Sequence, residues 1–430
     1  MTDTDRDPVV YPNADREDTR ADGVSRRCML AGSTAAGAAV TAGCLGTDSE
    51  DASNESPDGS TVFVFNTDDG TVSLIDPETD TVVGTQHLGL SASFPSNQYS
   101  PQLTTAASDT LWLNVDRGVR GLGVGSLEET ARFETGSGAN WLEQTPNGRH
   151  LVVSAREPTH TLFRLDADPE SSTFGELTGE LDRRSEGGRG DTGGPGPCDV
   201  TIHPDGQYAY IPDLFGDTLT VIDIPSFEIE TQLDVDPVGE APAEPWMGTI
   251  SWDGQRLLVE HNEGETGSES LWDTSDPTDP ELITRLTADD GFGEGPLTSE
   301  IGPDSEVGYV FTPGTDDVTV VDLSSGEVTA RLDVGGSAFV GTWNTAREKL
   351  YVPVQTANEV AVIDHASREV VSTIEVGDRP YGATAAEHRP TTSDTDAMLA
   401  TLAQLGVFAA TTETTYCIGE CACGHRLDTD

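Results

Sequence analysis

Positive charge is what this 430-residue sequence has least of. It contains a single lysine, Lys349, and 23 basic residues in all against 76 aspartates and glutamates, for a formal net charge of −53. A chain this acidic repels phosphate backbones, which excludes nucleic acid as a partner. The acidic residues are interleaved with short Val/Ile/Tyr segments, so they indicate a folded domain with a carboxylate-coated surface rather than a disordered chain.

Cysteine is scarce too, and its six positions do not form an evenly spaced disulfide framework. Cys198 is the only cysteine in the body of the chain, and the others lie near the two ends. Enzyme signatures are also missing: there is no Ser-His-Asp order, no phosphate-binding glycine loop before a helix, and no Cys-x-x-Cys-His haem site. These absences favour a non-catalytic protein.

Long apolar runs are absent, and the longest candidate is at the N-terminus. The segment from Met29 to Gly43 is too short and too rich in Ala, Gly and Thr to span a membrane comfortably. It follows Arg26 and Arg27 and leads into Cys44, so it resembles a twin-arginine export signal (residues 1–43) ending in a lipoprotein box. The alternative is a buried Ala-rich helix.

That resemblance implies that Cys44 is lipidated and that residues 44–59 form an acidic, disordered tether. The predicted location is therefore the outer face of the cytoplasmic membrane, with the lipid anchor as the contact to the membrane.

Internal repeats organise the rest of the chain. At six places an aspartate follows two residues that are apolar, except for Arg164, and precedes a turn. These aspartates are Asp76, Asp166, Asp223, Asp273, Asp322 and Asp364. Leu111–Asn114 and Gly121–Val124 supply a further unit without the aspartate, in the long gap after Asp76. Seven units of several short strands each, with a period of roughly 40–50 residues, are typical of β-propeller blades. We expect the aspartate to cap the turn after the third strand of each blade.

The predicted fold is an all-β, seven-bladed β-propeller over residues 60–388. The first unit begins abruptly at Thr61–Phe65 without an innermost strand, whereas the last unit continues into Pro380–Ala385 with no strands after it. The C-terminal strand is therefore predicted to complete the first blade and close the ring.

Two repeats carry a family resemblance. Tyr208–Asp213 with Leu219–Asp223, and Leu350–Val354 with Val360–Asp364, are similar to the YVTN-type repeat of YncE-like and surface-layer-associated propellers. Similar blades occur in lactonase-like and cytochrome d1-type propellers. The resemblance covers residues 60–388 and implies the fold. It does not imply one activity, because these families share blades and differ in chemistry. The acidic composition resembles that of proteins from extreme halophiles.

A candidate ligand site follows from the repeat alignment. Propeller ligands bind where loops enter the innermost strands, and aligning the Gly-x-Pro-x lead-ins gives one residue per blade at that rim: Gln102, Trp141, Cys198, Trp246, Leu297, Phe339 and Tyr381. Four of the seven are aromatic in a chain with only 6% aromatics. They either bind an organic ligand, peptide or sugar by stacking, or pack against each other and plug the channel. Cys198 is either a soft ligand or an inert buried thiol.

Residues 389–430 form a C-terminal tail that the repeats do not explain. Asp394–Leu405 is predicted to be a short helix that is capped by Asp394, stopped by Gly406 and packed on the propeller. The face expected to pack consists of Met398, Leu399, Leu402 and Leu405.

The tail ends in a set of soft donors: Cys417, Cys421, Cys423 and His425. These donors fit copper or zinc, and part of their spacing resembles a dinuclear copper loop. A local disulfide with one thiol left over, or an unstructured tail, are the alternatives.

Three functions follow from the sequence. The first is a monomeric, exported, membrane-anchored propeller that binds a small ligand or a cell-surface protein without catalysis. The second is a metal or redox protein that uses the Cys417–His425 segment. The third is a lactonase-like hydrolase, for which His261–Glu263 is the best polar cluster, although a surface loop is the alternative interpretation of those residues.

Overall fold

The computed structural model describes residues 59–90, 109–190 and 193–407. In the first two blades, the strands are β1 (Thr61–Asn66), β2 (Thr71–Asp76), β3 (Thr81–His87), β4 (Thr110–Val115), β5 (Gly118–Gly123) and β6 (Glu129–Glu134). The third blade contains β7 (Trp141–Gln144), β8 (His150–Ala155), β9 (Thr161–Asp166) and β10 (Leu177–Asp182). The fourth contains β11 (Thr201–Ile202), β12 (Tyr208–Asp213), β13 (Thr218–Asp223) and β14 (Glu228–Asp234).

The remaining blades repeat the plan. Blade 5 contains β15 (Pro245–Ile250), β16 (Arg256–His261), β17 (Ser268–Asp273) and β18 (Glu281–Leu286). Blade 6 contains β19 (Ser299–Ile301), β20 (Val307–Thr312), β21 (Asp317–Asp322) and β22 (Glu327–Asp333). Blade 7 contains β23 (Thr342–Trp343), β24 (Lys349–Val354), β25 (Glu359–Asp364) and β26 (Glu369–Glu375). The last elements are β27 (Pro380–Ala386) and helix α1 (Asp394–Gln404).

The seven antiparallel sheets confirm the predicted seven-bladed propeller. Six sheets have four strands, and blade 2 has three within the described residues. The middle strands are mostly buried because neighbouring blades cover both faces, and β4 and β20 are buried along their whole length. The outermost strands are half-exposed, as in β14 and β22, where glutamates and other polar residues face solvent. The acidic surface predicted from composition therefore includes the outer edges of the blades.

Ring closure occurs as predicted. β27 is the innermost strand of blade 1 and pairs antiparallel with β1, from Thr61 opposite Ala386 to Asn66 opposite Pro380. Just outside this pairing, Arg389 Nη2 donates to the carbonyl of Ser60 (3.3 Å) and forms an ion pair with Asp76 (3.1 Å). The two ends of the described domain are thus held together on one blade.

The repeated aspartates have the structural role that was predicted. Each of the six ends the third strand of its blade and accepts a main-chain N–H from the following turn; in Asp322 the bonds come from Ser324 (3.0 Å) and Ser325 (2.8 Å). Just before this turn, every blade has a register irregularity between its third and outermost strands. Such bulges increase the local twist and make an exposed sheet edge a poor partner for another chain.

Helix α1 packs on β3 of the first blade with a face that only partly matches the predicted one. Ala400 and Ala403 are buried; of the predicted residues, Leu399 and Leu402 are half-buried, whereas Met398 and Leu405 are exposed. Small side chains allow close approach, and the preceding Thr392 lies against Gly84 of β3. The N-cap is Ser393, not Asp394, since its hydroxyl accepts from the Asp396 N–H (3.1 Å). Gly406, with φ 65°, follows the helix end as expected. Among the described residues, no helix is long and apolar enough to cross a membrane.

Candidate functional site

The residues predicted for the channel mouth lie together in one apolar cluster, hereafter the mouth cluster. It contains Trp141, Cys198, Trp246, Phe339 and Tyr381, with Leu297 packed against it. Five blades contribute the cluster residues and a sixth contributes Leu297, because each residue lies at the start of, or just before, an innermost strand. Gln102, the seventh predicted residue, lies outside the described residues.

The mouth cluster is closely packed. Its aromatic side chains are between 1% and 6% exposed, and the rings of Phe339 and Tyr381 lie 5.0 Å apart in a tilted arrangement. This geometry corresponds to the plug interpretation of these residues. Their role as ligand contacts stays a prediction.

Polar groups surround Cys198, which is itself part of the mouth cluster. Asn140 Nδ2 donates to the Cys198 carbonyl and lies 3.0 Å from its Sγ, and Ser154 Oγ donates to the same carbonyl (3.0 Å). The Arg156 guanidinium lies 3.6 Å from Sγ. All of these side chains are buried. Cys198 is therefore held by blade 3 at the start of blade 4, in a polar rather than a purely apolar environment.

Side-chain hydrogen bonds connect successive blades around the channel. Glu143 of blade 3 accepts the Ile202 N–H of blade 4 (2.8 Å), and Asp199 at the start of blade 4 accepts the Gly248 N–H of blade 5 (2.7 Å). Thr249 then donates to the Ser299 carbonyl of blade 6 (2.8 Å), and Thr298 donates to the Phe339 carbonyl of blade 7 (2.6 Å). These bonds fix the spacing of the innermost strands, and with it the mouth cluster.

Two of these linking groups are carboxyls with raised pKa values. Burial raises the pKa of Asp199 to about 7, although its bonds from Val200, Thr201 and Gly248 favour the ionised form. Burial also raises the pKa of Glu143 well above its ordinary value, and the charge of Asp199 adds to the effect. A third buried carboxyl, Glu300 on β19, has a strongly raised pKa for the same reason. Buried titratable groups of this kind are candidates for function.

A pair of glutamates lies in the sheet of blade 5. Glu260 of β16 and Glu269 of β17 are directly opposite each other in the strand register, so their side chains project from the same face. Both are fully buried. Burial raises the pKa of Glu260 to about 8, and burial together with the charge of Glu260 raises that of Glu269.

The polar cluster predicted at His261–Glu263 is structural in its contacts. His261 is fully buried, with Nδ1 3.0 Å from the Ala243 carbonyl and Nε2 2.8 Å from Ser270 Oγ. Burial lowers its pKa well below the usual value, so it stays neutral. Glu263 accepts a charged hydrogen bond from Arg285 (2.8 Å) and one from Ser268 (3.1 Å). His261 and Glu263 are therefore not surface-loop residues.

The predicted lipidation residue Cys44 and the predicted metal ligands Cys417, Cys421, Cys423 and His425 lie outside the described residues. Within residues 59–90, 109–190 and 193–407, no group of three or more His, Cys, Asp or Glu side chains is arranged to hold a metal ion.

The buried carboxyls are the site feature that sequence reasoning missed. Acidic residues are so frequent in this chain that a carboxylate at any position carries little information. The neighbouring residues could have indicated the burial of these carboxyls. Glu260 follows Leu257, Leu258 and Val259, and a solvent-exposed glutamate is not expected directly after such an apolar segment.

Comparisons with known proteins place the fold. No protein-family profile and no curated protein sequence matches the chain. Among solved structures, the periplasmic gluconolactonase of Pseudomonas aeruginosa is similar, with a TM-score of 0.58, 17% identity, and coverage of 76% of this chain and 99% of that one. A protein from Lactobacillus plantarum (TM-score 0.60, 13% identity, 76% and 99% coverage) is similar as well.

A third structure, a functionally unknown protein from Desulfotomaculum acetoxidans, has a TM-score of 0.57 at 14% identity and covers 77% of this chain and 99% of its own. At such identities the likeness concerns architecture alone. The chain therefore shares its overall fold with these three structures.

Proposed function

We propose that this protein is an exported, membrane-tethered, monomeric propeller that binds a partner or small ligand at the mouth of its channel without catalysing a reaction. The supporting observation is the mouth cluster, in which five blades each contribute an aromatic residue or Cys198 to one place. Such convergence is typical of propeller ligand sites, and aromatic rings suit ligands with flat apolar faces such as sugars or peptides.

The packing of the mouth cluster defines how the ligand binds. Because Phe339 and Tyr381 are in contact and almost fully buried, the cluster is the floor of the site rather than the wall of an open channel. The ligand contacts the mouth face of the ring. The net charge of −53 favours a neutral or cationic ligand over an anionic one.

Tryptophan fluorescence tests this proposal. The purified chain is titrated with a panel of oligosaccharides and peptides, and the variants Trp141→Phe and Trp246→Phe are compared with Trp252→Phe. Trp252 lies in the turn after β15, at the opposite end of that strand from Trp246, and so it is a matched control. We expect a saturable change that is reduced in the first two variants and retained in the third. An unchanged signal in the mouth variants contradicts the proposal.

A lactonase-like hydrolase is the second candidate, favoured by one observation. Asp199 has a pKa of about 7, in the range that suits a general base for water attack on a lactone, and it follows Cys198 of the mouth cluster in the sequence. A similar structure is named a periplasmic gluconolactonase. The test is turnover of a panel of lactones by the wild type and by Asp199→Asn. Activity that is lost in the variant, while its circular dichroism spectrum is unchanged, supports this candidate over non-catalytic binding.

The metal or redox alternative rests on Cys417, Cys421, Cys423 and His425. Elemental analysis of protein purified without added metal decides it. Copper or zinc at about one ion per chain supports it, and substoichiometric amounts of both contradict it.

A further inference from the structure

Three side chains between blades 6 and 7 form a row of hydrogen bonds from the core to the surface, hereafter the Tyr309 relay. The Tyr309 hydroxyl lies 2.9 Å from His365 Nδ1, and His365 Nε2 lies 3.1 Å from Asp304 Oδ2. Tyr309 on β20 is fully buried, whereas the side chains of His365 and Asp304 are 15% and 39% exposed. The relay therefore connects a buried phenol, through an imidazole of the next blade, to a carboxylate in contact with solvent.

The carboxylate fixes the direction of the hydrogen bonds in the relay. An ionised carboxylate only accepts hydrogen bonds, so the imidazole donates from Nε2 to Asp304. In the neutral ring the other nitrogen, Nδ1, is then an acceptor, and the Tyr309 hydroxyl donates to it. The phenol proton thus points at a base that is itself oriented by a second group.

Close packing holds the two rings of the relay in place. The Trp343 ring meets those of Tyr309 and His365 in edge-to-face contacts, with centroids 5.7 Å and 5.3 Å away. Gly302 leaves the space that the imidazole occupies, because a Cβ at this position would lie 2.5 Å from His365 Cε1. The hydrogen bond between phenol and imidazole is therefore part of a packed arrangement between two blades.

Two other tyrosines occupy the same strand position without such a base. Tyr210 and Tyr351 are, like Tyr309, the third residue of the second strand of their blade. The Tyr351 hydroxyl donates to the carboxylate of Asp80 in blade 1, and the Tyr210 hydroxyl has no hydrogen-bond partner among the described residues. Of these three hydroxyls, that of Tyr309 is the one that donates to an imidazole.

Burial determines how Tyr309 can be oxidised. It raises the pKa of the hydroxyl above the usual value, so the phenol keeps its proton. Loss of an electron alone would leave a positive charge in the core, which is unfavourable without a partner. Transfer of the proton to His365 places that charge on an imidazolium beside the Asp304 carboxylate, which stabilises it.

We infer that the Tyr309 relay is a redox site at which Tyr309 gives one electron to an oxidised, cationic metal complex at the protein surface. The phenol O–H bond breaks, an N–H bond forms at His365 Nδ1, and the electron reduces the metal by one oxidation state. The products are a neutral tyrosyl radical and an imidazolium paired with Asp304. The net charge of −53 attracts a cationic oxidant. This activity is separate from ligand binding at the mouth cluster, because Tyr309 and Trp343 belong to another apolar cluster.

Flash photolysis of the full chain tests the site. Tris(bipyridine)ruthenium(III) is generated by a laser flash with a cobalt(III) ammine complex as electron acceptor, and electron paramagnetic resonance identifies and follows the tyrosyl radical. Tyr309→Phe removes the phenol. His365→Gln keeps an acceptor for the tyrosine hydrogen bond but replaces the imidazole with a much weaker base. Tyr351→Phe is the matched control, since that hydroxyl donates to a carboxylate instead.

We expect the wild type and Tyr351→Phe to form a long-lived neutral tyrosyl radical and Tyr309→Phe to lose most of it. His365→Gln should form the radical at least about tenfold more slowly, because a positioned proton acceptor contributes about 10²–10⁴-fold to proton transfer. A full radical yield in Tyr309→Phe, or an unchanged rate in His365→Gln, overturns the inference. If either variant does not fold, the wild type alone decides: slower radical formation in D₂O than in H₂O supports the coupled loss of electron and proton, and an equal rate overturns it.

Discussion

Burial makes Glu300 lower the stability of the fold as the pH rises. An ion-paired surface carboxylate has the opposite effect. Burial raises the pKa of Glu300 well above its ordinary value. A hydrogen bond with the Trp343 side chain favours the ionised form but offsets only part of this effect. The protonated form is therefore the one that the fold prefers. The stabilisation is complete below the pKa of the unfolded chain and is lost as the pH rises through the higher folded-state pKa.

We predict that Glu300→Gln increases the free energy of unfolding at pH 9 by about 1–3 kcal/mol and changes it little at pH 5, because glutamine keeps the acceptor and removes the buried charge. Urea unfolding across this pH range measures the difference. Glu375→Gln, on the exposed face of the outer strand β26, is the control and should give a pH-independent effect. Parallel curves for wild type and Glu300→Gln contradict the prediction.

At the residue scale, the repeated aspartates were predictable and the buried glutamates were not. The role of Asp322 is decided by a turn of its own sequence neighbours, which a repeat makes visible. The environment of Glu260 depends on β17 and on the next blade, which lie far away in the sequence or across the sheet. Local chemistry can be recognised in a sequence, whereas burial created by another element cannot.

Helix α1 shows the same distinction at the scale of an element. Its existence and ends follow from a periodic segment that begins at Asp394 and is stopped by Gly406, and the predicted bounds differ by one residue. Its packing face follows only in part, because Leu399 and Leu402 are half-buried but Met398 and Leu405 are exposed. Close approach favours Ala400 and Ala403 instead.

This contact can be tested with two matched substitutions. Ala400→Glu places a charged side chain where there is almost no free space, and we expect it to cost about 1–3 kcal/mol and to release the helix from β3. Met398→Glu, on the exposed face of the same helix, should change stability by no more than about 0.5 kcal/mol. Limited proteolysis near Leu405 and thermal unfolding report both effects; equal sensitivity of the two variants contradicts the assigned face.

At the scale of the whole molecule, the ring depends on one non-local strand pairing. β27 pairs with β1 over its full length, and its alanines Ala383 and Ala385 are buried in the core between blades 1 and 7. The repeat count and the overrun at Pro380 made this closure predictable, because the first repeat lacks its innermost strand and the last repeat is followed by one extra strand.

We predict that a chain ending at Gly377, without β27 and α1, loses cooperative unfolding, because β1 becomes an open edge inside an incomplete ring. A chain ending at Val407 keeps both elements and should unfold like the full-length protein. Circular dichroism during urea titration measures the transition. A sharp transition of full-length amplitude in the shorter chain contradicts the role of β27.

The contact between Arg389 and Ser60 has a consequence for the connectivity of the chain. The two ends of the domain lie side by side on blade 1. The order of the blades is therefore circular, and the chain is interrupted only at that blade. Joining the ends and opening the chain at a turn between other blades would preserve every strand pairing, so the fold does not depend on which blade comes first.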